Sequence, residues 1–180
     1  MKNTLTDRKK DIVGKWVELI LGTYESAEFF KTQKDRMANP VGVNVAEGLR
    51  KIFDLLLEEA EPASLSEPLD QVIRIRAVQD FSPSQAVSFM FVLKDVIRKE
   101  LAKEDIAFPE ELDAFEARID QTVLQAFDIY MACRERLFQI RLRELQKGTH
   151  ILTDGTKCAS AWLKNKLSES ADNNHKNSLT

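Results

Sequence analysis

Few residues in this chain have the chemistry of a catalyst, and their spacing argues against one. Histidine is the commonest general base and metal ligand. The chain has two, His150 and His175, and both follow the last long helical pattern. The two cysteines, Cys133 and Cys158, have no zinc-type spacing and are too few for a disulfide framework. Arg134 and Arg136 beside Cys133 are neighbours of the kind that lower a thiol's pKa, but the position suits a small core or interface residue better. Gly22, Gly42 and Gly48 match no phosphate-loop spacing, and Ser82-Pro83-Ser84-Gln85 reads as a helix cap rather than a nucleophile elbow. No catalytic residue, metal site or cofactor is expected, and an enzyme is not the expected class.

One polar cluster stands apart. Arg74, Arg76, Gln79 and Asp80 fall within two turns of a helical pattern, directly before Ser82. Two readings stay open. Arg74, Arg76 and Gln79 line a small-molecule pocket and hold an anionic group near the start of the Ser82 helix. Alternatively, they lock a helix–helix corner through hydrogen bonds and ion pairs.

The elements that would position these groups are all helices. Gly and Pro total 11 of 180 residues, and Leu, Ala, Glu, Lys, Arg and Gln abound, which favours helices with short connections. The first helix is expected from Thr6, as cap, to near Gly22, with Ile12, Trp16, Leu19 and Ile20 on one face. A short helix follows over Tyr24 to Lys31. Asn39-Pro40 reads as a turn and Gly42 as a flexible joint. The next helix spans Val43 to Ala60 and is stopped by Pro62, with Pro68 bounding an acidic loop before a helix over Leu69 to Asp80. Ser82, Pro83 and Gln85 form a capping box for a helix to about Lys103, apolar nearly all round. Thr156 to Leu167 reads as an amphipathic helix.

The most informative element is a helix from Pro109 to Gly148. Pro and acids open it, and at 1.5 Å per residue it is about 58 Å long. A compact domain of this size is about 40 Å across, so about 20 Å of helix is expected to extend past the body. Leu112, Phe115, Ile119, Val123, Ala126, Tyr130, Cys133, Leu137 and Ile140 mark one apolar face. Leu124, Phe127, Met131, Phe138, Leu142 and Leu145 flank it. Such a stripe calls for a partner, most simply a second copy in a two-fold dimer. Phe127, Tyr130, Met131, Arg134, Phe138, Arg141, Leu142 and Leu145 are the expected interface. A rival cover is the Trp162 segment folding back.

Charge sets further bounds. A net charge of −3 argues against a general nucleic-acid binder. Six acids and no base lie between Asp54 and Asp70, whereas five bases lie between Arg134 and Lys147. The longest apolar stretch, Val87 to Leu93, is far short of a membrane span, and the start lacks a signal-peptide core. A cytoplasmic protein with no membrane partner is expected.

The run Ile75-Arg76-Ala77-Val78-Gln79-Asp80-Phe81-Ser82-Pro83-Ser84-Gln85-Ala86, followed by Phe89 and Leu93-Lys94, resembles the N-terminal domain of RsbRD-type stressosome proteins, the RsbT co-antagonists. Trp16 to Tyr24, Asn39-Pro40-Val41-Gly42 and Cys133-Arg134-Glu135 agree, so the resemblance covers Asp11 to Lys147. It implies an all-α, globin-like, non-haem helical bundle with a long C-terminal helix, acting as a sensor that pairs as a dimer. In such proteins the long helix leads to a STAS domain. Only about 33 residues follow Lys147 here, too few for a domain of that size, so a separate signalling partner is expected. No histidine lies between Met1 and Thr149, which argues against a histidine-held haem. The expected partition is a sensor domain over 6–148, an extension over 149–167 and a disordered tail over 168–180. The alternative function is a structural adaptor in a larger assembly with no ligand.

Overall fold

In the computed structural model, residues 1–33, 35–79, 81–104 and 109–153 are described, and among them every regular element is helical. The helices are α1 (Lys2–Asp7), α2 (Lys9–Leu21), α3 (Ala27–Thr32), α4 (Pro40–Leu57), α5 (Pro62–Val78), α6 (Pro83–Val87), α7 (Phe89–Leu101) and α8 (Pro109–Thr153), with a 3-10 turn at Ala102–Glu104. The chain divides into two compact units, Met1–Arg134 and Glu135–Thr180. The expected helix over Thr156 to Leu167 and the tail over 168–180 lie outside the described residues, as does Asp80.

The first unit is a bundle. α4 packs most extensively on α5, while α2 packs on α7 and α4. Ile12, Trp16 and Ile20 of α2 meet a core of Leu49, Ile52 and Phe53 from α4, Leu69 and Ile73 from α5, Phe89 and Leu93 from α7, and Phe115 and Ile119 from α8. The close approach of α4 and α5 depends on Gly48: a Cβ there would stand 2.6 Å from Val72 Cγ2. The Trp16 indole N–H donates to the Phe89 carbonyl at 2.7 Å, satisfying its one donor inside the core.

Several expected boundaries move. Thr6 does not cap: it lies within α1, where its hydroxyl bonds back to the Lys2 carbonyl at 2.9 Å, and the helix breaks at Arg8 instead. The short helix α3 starts at Ala27, and Tyr24 precedes it as a buried core residue. Asn39-Pro40 is a helix start rather than a free turn. Asn39 caps α4 and Pro40 occupies N1, where its missing N–H costs nothing. Gly42 is therefore in the first helical turn and is not a joint. The segment between Pro62 and Pro68 is not an acidic loop. α4 ends at Leu57, Glu59 adopts φ 56°, and Pro62 opens α5, which continues through Pro68. Phe91 on α7 is exposed, so that helix is not apolar all round. Gly148 does not end α8, because a helical glycine costs only about 1 kcal/mol relative to alanine.

Polar side chains fix the first part of α8 to its neighbours at successive turns. Arg98 of α7 clamps Glu116 with two bonds of 2.6 and 2.5 Å. Arg118 reaches Glu59 at 3.0 Å. Lys94 reaches Asp120 at 2.5 Å. Gln125 donates to Pro62 O at 3.0 Å and to Ser66 Oγ at 2.8 Å on α5.

Candidate functional site

The cluster singled out in the sequence sits at the corner where α5 gives way to α6. Residues 74 and 76 are two positions apart, so on a helix they point in nearly opposite directions. Arg74 is exposed and pairs with Asp70 at 2.8 Å, which raises its pKa further through that hydrogen bond and charge. Arg76 is 1 % exposed. Gln79 closes α5 at the surface and walls a cavity of about 420 Å³ with Thr23, Tyr24, Phe30, Phe81 and Gln85. The three residues expected to share a pocket are thus separated, and Arg76 belongs to the core.

Arg76 has no carboxylate partner among the described residues. Its Nη2 donates to the Gln85 carbonyl at 2.9 Å, and Nη1 makes long contacts of 3.4 Å with Thr23 Oγ1 and Tyr24 Oη. Nε is buried without a partner. Aromatic faces supply the remaining stabilisation: the guanidinium lies 4.2 Å from the Phe81 ring centroid and 5.4 Å from that of Tyr24. Burial pushes the Tyr24 phenol above its ordinary pKa, and the Arg76 charge opposes that rise.

The arginine also shapes the backbone. An unbroken helix would give the Gln85 carbonyl to the Phe89 N–H. Here that carbonyl accepts from Arg76 and from Ser88 Oγ, each at 2.9 Å, and the helix breaks at Ser88 into α6 and α7. On the other side of the corner, Ser82 forms the expected capping box: its hydroxyl accepts from Gln85 N at 3.3 Å and its N–H donates to Gln85 Oε1 at 2.9 Å.

α8 reads this corner through two side chains. Tyr130 Oη donates to the Phe81 carbonyl at 2.7 Å, and Arg134 Nη1 donates to Ala77 O at 3.2 Å in the last turn of α5. Both were expected at a partner surface. Tyr130 is 2 % exposed, so it is corrected to a core residue: its ring fills the bundle and its hydroxyl satisfies a loop carbonyl. Arg134 is half-buried and caps α5. Cys133 is buried beside them.

On the first unit's α8, three large apolar side chains stand outside beside exposed Asp120, Gln121 and Asp128. Leu124, Phe127 and Met131 are 68 %, 42 % and 47 % exposed. Leu124 belongs with this patch though the expected interface omitted it. In the second unit, Phe138, Leu142, Leu145 and Arg141 are exposed on the same helix. Leu124, Met131, Phe138 and Leu145 recur every seven residues, the interval of one coiled-coil seam position.

Among the described residues no group of three His, Cys, Asp or Glu is placed to hold a metal ion, and no helix is long and apolar enough to cross a membrane.

These features define the class: an all-α domain whose long helix α8 is keyed to a buried arginine corner. The chain belongs to the family described as the RsbT co-antagonist protein rsbRD N-terminal domain, whose model matches residues 10–145. That membership places it with stressosome-related regulatory domains. An uncharacterized protein of Archaeoglobus fulgidus is 31% identical over 141 residues, covering 77% of this chain and 84% of that protein. No solved structure matches the chain.

Proposed function

We propose that this protein is a non-enzymatic, cytoplasmic sensory domain that forms a homodimer through α8 and passes its state to a separate signalling protein. Neither nucleic acid nor membrane has a part in this reading. The observation that carries it is the exposed apolar surface of α8. Three large side chains of the first unit, Leu124, Phe127 and Met131, stand in solvent on the helix that Tyr130 and Arg134 tie to the α5–α6 corner. Exposed apolar residues grouped in this way mark an interaction surface, and their seven-residue recurrence fits a helix from a second copy. The same helix carries both the surface and the bonds to the corner, so a change at the corner has a direct mechanical route to the surface. Light scattering at tens of micromolar tests the pairing. The expected mass is twice the 20.6 kDa of the chain; a monomeric mass overturns the reading.

A further inference from the structure

We propose that the groove between α2, α3 and α4 binds a small carboxylate with an apolar body. Its volume is about 580 Å³, within the size range of small-molecule sites. Its floor is apolar: Val17, Leu21, Phe30 and Ala46.

Gly14 opens one wall. It lies in the middle of α2, where glycine weakens a helix relative to alanine, and no neighbouring side chain requires it: a Cβ at this position would meet nothing within 4 Å. The contrast with Gly42 and Gly48 is sharp, since a Cβ at either would collide with a neighbour. Packing does not demand glycine at 14, and a large side chain there would stand in the groove.

The rim chooses the charge. Four charged residues border the groove: Glu18, Lys31, Glu47 and Arg50. Glu47 is engaged by Arg36 at 3.4 Å. Among the described residues Lys31 and Arg50 make no ion pair, which leaves two cations against the single acid Glu18 on this rim. An anionic head group therefore complements the rim, and an alkyl or aryl body complements the floor.

The groove is also connected to the corner. Phe30 walls both this groove and the 420 Å³ cavity beside Gln79. Its ring meets Tyr24 edge-on at 5.7 Å, and Tyr24 meets Phe81 at 5.3 Å. The Phe81 carbonyl is the one held by Tyr130 of α8. An occupant that presses on Phe30 acts on the ring stack that α8 is bonded to. The segment carrying Phe30 suits displacement: α3 buries no residue fully, and Asn39 Nδ2 holds its end by donating to Phe30 O at 3.1 Å and Gln33 O at 2.7 Å.

This site supplies the ligand for the sensory part of the reading above. The two fail separately: loss of ligand binding leaves the α8 dimer standing, and a monomeric mass leaves the groove standing. Sodium decanoate serves as the probe, with decyltrimethylammonium as its cationic counterpart, in calorimetric or NMR titrations of the full chain. Saturable decanoate binding below about 1 mM is expected, at least about tenfold tighter than the cation. Gly14→Leu should weaken decanoate by about tenfold or more while melting no lower than wild type, because the helix gains a better former. Arg50→Glu should weaken decanoate and not the cation. No saturable binding, equal binding of the cation, or unchanged binding in Gly14→Leu overturns the proposal.

Discussion

Replacing Arg76 separates a corner lock from a ligand-holding residue. The side chain is fully buried, so Arg76→Ala removes a large packed group, a loss of about 3–5 kcal/mol by analogy with large-to-small core truncations. It also removes the charge-assisted bond to the Gln85 carbonyl, worth about 1.5–3 kcal/mol, and the stacking on Phe81, worth about 1 kcal/mol. Against these stands relief of a guanidinium buried without a carboxylate, several kcal/mol in effective desolvation. The net expectation for Arg76→Ala is a loss of about 3 kcal/mol. Arg76→Met keeps most of the volume, so the polar losses and the desolvation relief nearly cancel, and it should stay within about 1 kcal/mol of wild type. Urea denaturation with the m-value held in common measures the difference. At about 1–3 kcal/mol per M, the two variants should differ in midpoint by about 1 M or more. If Met is as damaging as Ala, the hydrogen bond matters more than the volume, and the near-cancellation is refuted. If Ala itself is neutral, Arg76 does not lock the corner.

Other perturbations follow from single contacts. Gly42→Ala should cost about 2 kcal/mol in denaturant, because its Cβ would stand 2.4 Å from Asn39 Nδ2 and break the cap that fastens α3 to α4. Gly14→Ala should instead gain about 1 kcal/mol in the same assay. Tyr130→Phe should cost about 1–2 kcal/mol by leaving the Phe81 carbonyl unsatisfied, and amide exchange should speed up at the α5–α6 corner. The buried Glu100 carboxylate is gripped by Lys103 at 2.8 Å and by Lys15, which hold its pKa below the ordinary 4.5. Its stabilising effect is therefore complete above that ordinary value and is lost as pH falls through the lowered folded one. Glu100→Gln should flatten the acid limb of the stability–pH profile.

The fold was largely readable because its helices carry strong periodic patterns, and the Ser82 capping box was readable because its chemistry is local. The departures gather at prolines that read as a turn, a stop and a loop boundary. Pro40 and Pro62 begin helices, since N1 needs no N–H, and Pro68 sits inside α5 where burial of its neighbours outweighs the lost bond. The site was legible in composition and not in arrangement. Arg76 and Gln79 were visible as an unusual polar cluster, but the partners of Arg76, at Thr23, Tyr24 and the Gln85 carbonyl, come from elements about 50 residues upstream and 9 residues downstream. Tyr130 fitted an apolar periodicity shared by core and surface stripes, and only packing distinguishes the two. The groove left one faint trace in the sequence: Gly14 in the middle of an otherwise well-formed helix.

In the proposed dimer, α8 pairs two copies through its exposed apolar side chains. Sedimentation equilibrium of wild type beside a Phe127→Glu, Met131→Glu double variant tests it most directly, with Leu19→Glu as a control at an exposed apolar position off this helix. Wild type and Leu19→Glu should be dimers, and the double variant a folded monomer with unchanged helical circular dichroism. A monomeric wild type, or a double variant that remains dimeric, would contradict it.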